Sequence, residues 1–169
     1  KSGLTLVEAI APAVRFYQQP PTEPTVARTA VAQVTVPVQV WAQAYAAPEP
    51  GTPHNEARQV IWDELLRLLT DGQSPEVAAA LRKEIVAEGS IRAELRRAWP
   101  LIEQAQLVAD LFSVPAYLRM AAPGLTAEQV ALLQRAEPAA WTVDDLPLLD
   151  EARRLLGDPG HEKLIARRR

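Results

Sequence analysis

Fifteen prolines against seven glycines are the strongest constraint on how this chain folds. Proline locks φ and lacks an N–H, and it pushes the residue before it out of helical geometry. It therefore suits the first turn of a helix and interrupts a helix interior. Most of these prolines precede clusters of Leu, Val and Ile, which a disordered Pro-rich segment would lack. Their spacing predicts a series of short helices with proline as the punctuation.

Hydrophobic periodicity fills in the elements. Leu6, Ile10, Val14 and Tyr17 recur at helical spacing, and Pro12 within that run predicts a kink or two shorter pieces. Pro20, Pro21 and Pro24 make an extended linker. From 25 to 36, β-branched residues alternate with small or polar ones (Val26, Arg28, Ala30; Val31, Gln33, Val34, Thr35, Val36), which predicts a small hairpin. A lone hairpin is marginal in water, so it must pack on something else. Pro37 opens a short helix through Trp41 and Tyr45. The strongest helix spans about 56–70. Ile61, Leu65 and Leu68 form one apolar stripe there, and Trp62, Leu66 and Leu69 form the next, with Asp63 and Arg67 spaced to pair on the far side. Ser74-Pro75-Glu76 is a helix start, and Gly89 ends that helix. Ser90 begins another, which Pro100 closes at Trp99. Leu107, Val108, Leu111 and Phe112 form a further stripe, and Ser113-Val114-Pro115 starts a short helix. Thr126 to Gln129 has the capping-box pattern. Thr142 or Asp145 caps a last clear helix carrying Leu148, Ala152, Leu155 and Leu156, and Gly157 ends it. The capped units recur at irregular intervals, which argues against a solenoid.

The expected fold is a mostly α, multi-helix domain of Pro-punctuated helices with a β-hairpin near the N-terminus. Three segments are read: 1–50, an N-terminal helix, β-rich stretch and linker; 51–157, a helical interaction domain; and 158–169, a basic tail ending in Arg167, Arg168 and Arg169.

Composition excludes several chemistries. The absence of Cys removes disulfides, thiolate catalysis, zinc fingers and iron–sulfur clusters. Two His leave little for a metal site. No Gly-rich phosphate loop and no GxSxG elbow is present. No apolar run approaches the roughly 20 residues of a membrane span, and no signal-peptide pattern opens the chain, so a cytoplasmic location without membrane contact is expected. The start at Lys1 rather than Met suggests a piece of something larger. No catalytic, cofactor-binding or metal-binding residue is assigned.

Individual residues carry two readings each. His54, beside Asn55 and Glu56 at a helix mouth, suits a cap or turn better than a metal, and His161 suits a solvated loop. Leu146 to Ala152 superficially resembles the apolar-then-acidic box that holds magnesium in nucleotide hydrolases, but its leucines continue with helical periodicity and Arg154 follows Asp150 by one turn. Trp62 and Trp99 read as core anchors. Trp41 and Trp141, nearer element ends, are more open to an interface role or to base stacking. Arg82-Lys83 and Arg92 with Arg96-Arg97 form modest basic patches with Glu88 and Glu94 close by. A net charge of −3 weighs against a dedicated nucleic-acid binder. Residues 101–150 hold two Arg against seven acids: Glu103, Asp110, Glu128, Glu137, Asp144, Asp145 and Asp150. That segment reads either as a surface for a basic partner or as helix N-terminal acids serving the dipole.

Three stretches in this order resemble a known family: Pro53-His54-Asn55-Glu56-Ala57-Arg58; 95–111 (LRRAWPLIEQAQLVADL); and 121–156, from AAPGLTAEQVALL to WTVDDLPLLDEARRLL. They resemble the middle region of HelD-type proteins, UvrD/Rep-like ATPases that bind bacterial RNA polymerase and recycle it. The first 50 residues match more loosely, at 7–15 and the β-rich stretch after it. In that family the region lies between the P-loop and the DE box of the first motor domain, as a helical insertion that enters the polymerase main channel and helps open the clamp. The resemblance implies a monomeric polymerase-binding arm, with ATP and Mg confined to the parent's motor domains. None of the family's ATP-contacting motifs falls within these residues. A nucleic-acid-contacting accessory subdomain of a superfamily-one helicase is the alternative.

Overall fold

The structure is a computed structural model that describes residues 2–168, with side chains from Leu6 onward. The described residues form α1 (Ser2–Arg15), β1 (Thr25–Arg28), β2 (Gln33–Val36), α2 (Val38–Tyr45), α3 (His54–Leu69), α4 (Pro75–Glu88), α5 (Ser90–Ala98), α6 (Gln104–Leu111), α7 (Pro115–Ala121), α8 (Ala127–Leu133), a 3-10 turn (Val143–Asp145), α9 (Leu146–Leu156) and α10 (His161–Arg168). The expected helical fold with an N-terminal hairpin is the observed one. Arg169 of the predicted tail lies outside the described residues; the rest of the segment contains α10.

The local signals explain most boundaries. Ser74 Oγ accepts from the Val77 amide with Pro75 at the first helical position, and Gly89 closes α4 at φ 88°, a left-handed conformation that favours glycine. Thr126 and Gln129 form the expected reciprocal capping box at α8. Pro12 breaks nothing, because α1 is one helix through it. The bond its missing N–H forfeits is to Glu8, on the exposed side, while Ala9, Ile10, Ala13 and Val14 are buried. Their packing offsets a penalty of about 3 kcal/mol.

Packing groups the chain into two units, which differ from the sequential division at 50 and 157. Unit 1 comprises the described residues up to Gln18, Pro53–Glu56 and those from Leu101 onward; unit 2 comprises Gln19–Thr52 and Ala57–Pro100. In unit 1, α1 packs on α6, α7 and α9, α6 packs on α7 and α9, and α8 packs on α7. Its core runs from Leu6 and Ile10 through Leu107, Leu111, Phe112 and Leu118 to Leu148 and Leu156. In unit 2, β1 and β2 pair antiparallel with Thr25 opposite Val36 and Ala27 opposite Val34. That register turns Ala27, Val34 and Val36 inward, and α4 and α5 pack on β1. The core there gathers Trp41, Trp62 and Trp99 with Ile61, Leu65, Ile85, Ile91 and Leu95. The hairpin thus finds the support that two strands need.

Candidate functional site

Within unit 1, Pro53–Glu56, the start of the first resembling stretch, forms a structural pin. Asn55 is fully buried. Its Oδ1 accepts from the Ile102 amide at 2.9 Å, and its Nδ2 donates to the Ile102 carbonyl at 2.8 Å and to the Gly157 carbonyl at 3.2 Å. One side chain therefore ties the start of α3 to the approach to α6 and to the end of α9. Gly157 holds φ 70° and ψ −165°, a conformation that only glycine adopts readily, and a Cβ there would lie 2.6 Å from the Pro53 Cβ. His54, also buried, accepts from Gln18 Nε2 at its Nδ1, 3.0 Å away. The helix-mouth position predicted for His54 is observed, with its ring turned inward. His161 is the first residue of α10 and half-buried, so the loop expected there is a helix start instead.

The loop between α8 and α9 is organised by a pair that sequence reasoning missed. Arg135 forks onto Asp145 at 2.9 and 2.7 Å, and its guanidinium lies 3.8 Å from the centroid of the Phe112 ring. The Arg135 amide also donates to the Phe112 carbonyl at 2.9 Å. Asp145 is buried and accepts from the Thr142 amide and hydroxyl as well. Hydrogen bonding from Arg135, above all, holds its carboxyl below the ordinary range against the opposing effect of burial. The Thr142-x-x-Asp145 spacing is a legible capping signal; an arginine ten residues upstream is not.

This pairing removes Asp145 from the acidic segment's surface. Glu103, Glu128, Glu137, Asp144 and Asp150 are exposed, and Asp110 is half-buried. Glu128 sits in the first turn of α8, as the dipole argument expects. Between 127 and 150 the exposed acids alternate along the chain with exposed large apolar residues: Leu132 at 83%, Val143 at 80% and Leu146 at 52%. Single exposed apolar residues are ordinary; three of them within one acidic segment make that segment the candidate contact region. Asp150 stays on the outer side of α9, where Arg154 pairs with Glu151 rather than with Asp150.

The tryptophans and basic patches lie differently from the open readings. Trp41 is fully buried and donates from Nε1 to Thr25 Oγ1 at 3.1 Å, so it is a core anchor of unit 2 rather than an interface residue. Trp62 and Trp99 are buried as expected, and Trp141 packs half-buried against the unit 1 core. Arg92 lies over the Trp62 ring at 4.8 Å, Arg97 pairs with Glu94, and Arg82 donates to Thr70 Oγ1, while Lys83 and Arg96 are exposed. Arg67 pairs with Glu64 one position nearer than the Asp63 expected, and Asp63 accepts from Gln59.

Among the described residues no group of three His, Asp or Glu side chains is placed to hold a metal ion, and no helix is long and apolar enough to cross a membrane. No protein-family model matches this sequence, and no curated protein is significantly similar to it.

Proposed function

We propose that this chain is a protein-docking module of the kind found as the helical insertion of HelD-type ATPases, engaging the bacterial RNA polymerase core. The observation that carries this reading is the segment 127–150, where Leu132, Val143 and Leu146 stand exposed among Glu128, Glu137, Asp144 and Asp150. Exposed apolar side chains interspersed along the chain with acids suit a partner surface that is apolar and basic. Asn55 adds support, since it bonds the first resembling stretch to the second and to the residue just after the third.

Retention of polymerase core by the immobilised chain tests the proposal. Binding is expected, and Leu132→Ser with Val143→Ser should weaken it about tenfold, because removing apolar anchors from an interface costs on the order of 1–2 kcal/mol. Both positions are exposed, so the fold should survive and far-ultraviolet circular dichroism should be unchanged. No retention at low salt would overturn the reading. Binding to duplex DNA that weakens steeply with salt would favour the helicase-subdomain alternative instead.

A further inference from the structure

Beside α1 and α7, unit 1 holds a depression of about 360 Å³ lined by Phe16, Tyr17, Asp110, Val114, Tyr117 and Met120, among others. Phe16 and Tyr17 follow the end of α1, and Tyr117 lies in α7. Their rings meet edge to face with centroids 5.1, 5.6 and 6.1 Å apart. The Tyr117 hydroxyl donates to the Ala13 carbonyl at 2.7 Å, which fixes that ring. Asp110 is the one charged residue in the lining among the described residues. Its Oδ1 accepts from Gln106 at 2.8 Å. Arg15 and Arg119, next in sequence to Phe16 and Met120, are exposed and do not line the depression.

We propose that this depression takes an arginine side chain from an apolar-flanked segment of a partner protein. Aromatic faces attract cations, and a nearby carboxylate adds a fork for a guanidinium, which is planar and only weakly hydrated. Unit 1 already uses that combination internally, where Arg135 lies on Phe112 while forking onto Asp145. The depression repeats the aromatic rings and the carboxylate without the arginine. The Tyr17 hydroxyl is pushed above its ordinary pKa by burial and then by the Asp110 charge, so the rings stay neutral beside a local negative field. Around the opening Phe16 is 52% exposed, Val114 45% and Met120 40%, an apolar shelf for the residues flanking the arginine. Capture of such a side chain does not require the partner to be the polymerase proposed above.

The full chain is titrated by NMR with the capped peptide acetyl-Leu-Arg-Leu-amide, with the same peptide carrying citrulline, and with N-acetylarginine amide. Saturable shifts of the Met120 methyl and Tyr17 ring are expected with the arginine peptide, at an affinity about fivefold above the citrulline peptide, the scale of one exposed ion pair plus a cation–π contact. Asp110→Asn should narrow the preference for the arginine peptide to about twofold, the share left to the rings, and Phe16→Ala should weaken both peptides, each with an otherwise unchanged spectrum. Equal binding of the two peptides to the native chain, or no shift at Met120, overturns the proposal. Binding of N-acetylarginine amide as tight as the peptide overturns the assignment to a partner segment.

Discussion

Unit 2 buries Trp41, Trp62 and Trp99 about a hairpin and the helices that follow it, whereas unit 1 fills its core with Ala, Val and Leu around Phe112. The polar interior differs in the same sense. Unit 2 buries Arg58, which donates to the Trp99 carbonyl, and Thr70, which bonds back to its own helix at Leu66. Unit 1 buries His54, Asn55 and Asp145 and spans longer separations: Asn55 to Gly157 across 102 positions and Tyr117 to Ala13 across 104, against 41 for Arg58 to Trp99 in unit 2. Unit 1 is assembled from three separate stretches, and closing long loops costs entropy that grows slowly with length. Small aliphatic side chains pack in many arrangements, so directional hydrogen bonds are what fix one register there. Large aromatic anchors do more of that work in unit 2, through shape.

The largest effect is expected from the aromatic side of this contrast. Trp41→Ala should cost about 4 kcal/mol, since the site is fully buried and the Thr25 hydroxyl loses its donor. Hydrogen exchange should show the β1 and β2 amides losing protection well before those of α6. Equal loss in both units would break the claim that each has its own cohesive core.

Next comes the Arg135–Asp145 pair. Arg135→Ala leaves a carboxylate buried without its partner and should cost about 3 kcal/mol at pH 7. The pH dependence sharpens the assignment. The Asp145 carboxyl is held below its unfolded value of about 3.9, so its stabilisation is complete above that pH and is lost as pH falls through the lower folded value. Glu64 and Glu151, lowered by Arg67 and Arg154, act on the same acid limb, so the difference between native and variant curves isolates Asp145. Urea titrations from pH 2 to pH 7 should show that difference shrinking below pH 4. A difference that stays constant would mean the pair acts through packing on Phe112 and not through charge.

What the chain reveals before folding follows the same division between local and distant causes. Ser74 and Thr126 cap helices that begin within three residues of them, so their roles are legible. The hairpin is legible because β-branched alternation is local too. Trp41 reads as open to an interface role because what encloses it, and the Thr25 hydroxyl it donates to, belong to other elements of unit 2. Pro12 leaves α1 in one piece through what Ile10 and Ala13 pack against, of which the propensity rule knows nothing. Of the candidate site, the acidity of 101–150 is visible as composition, but the removal of Asp145 by Arg135 and the meeting of Phe16 with Tyr117 are tertiary events without a local pattern. The His54-Asn55 stretch stands between these cases. Its position at a helix mouth is readable, and the partners that make it indispensable are not.

Asn55 provides the finest test of the directional-bond argument. Asn55→Ala deletes three hydrogen bonds and leaves the half-buried Ile102 amide without its side-chain acceptor, and should cost about 2 kcal/mol. Asn55→Asp has the same volume and keeps an acceptor for the Ile102 amide, yet it turns a carboxylate oxygen toward the carbonyls of Ile102 and Gly157, where Nδ2 now donates. If bond direction specifies unit 1, the isosteric aspartate should be no more stable than alanine at pH 7, and Ile102 exchange should accelerate in the alanine variant. If space filling were sufficient, aspartate would match the native chain, and the contrast between a shape-fixed unit 2 and a bond-fixed unit 1 would fall with it.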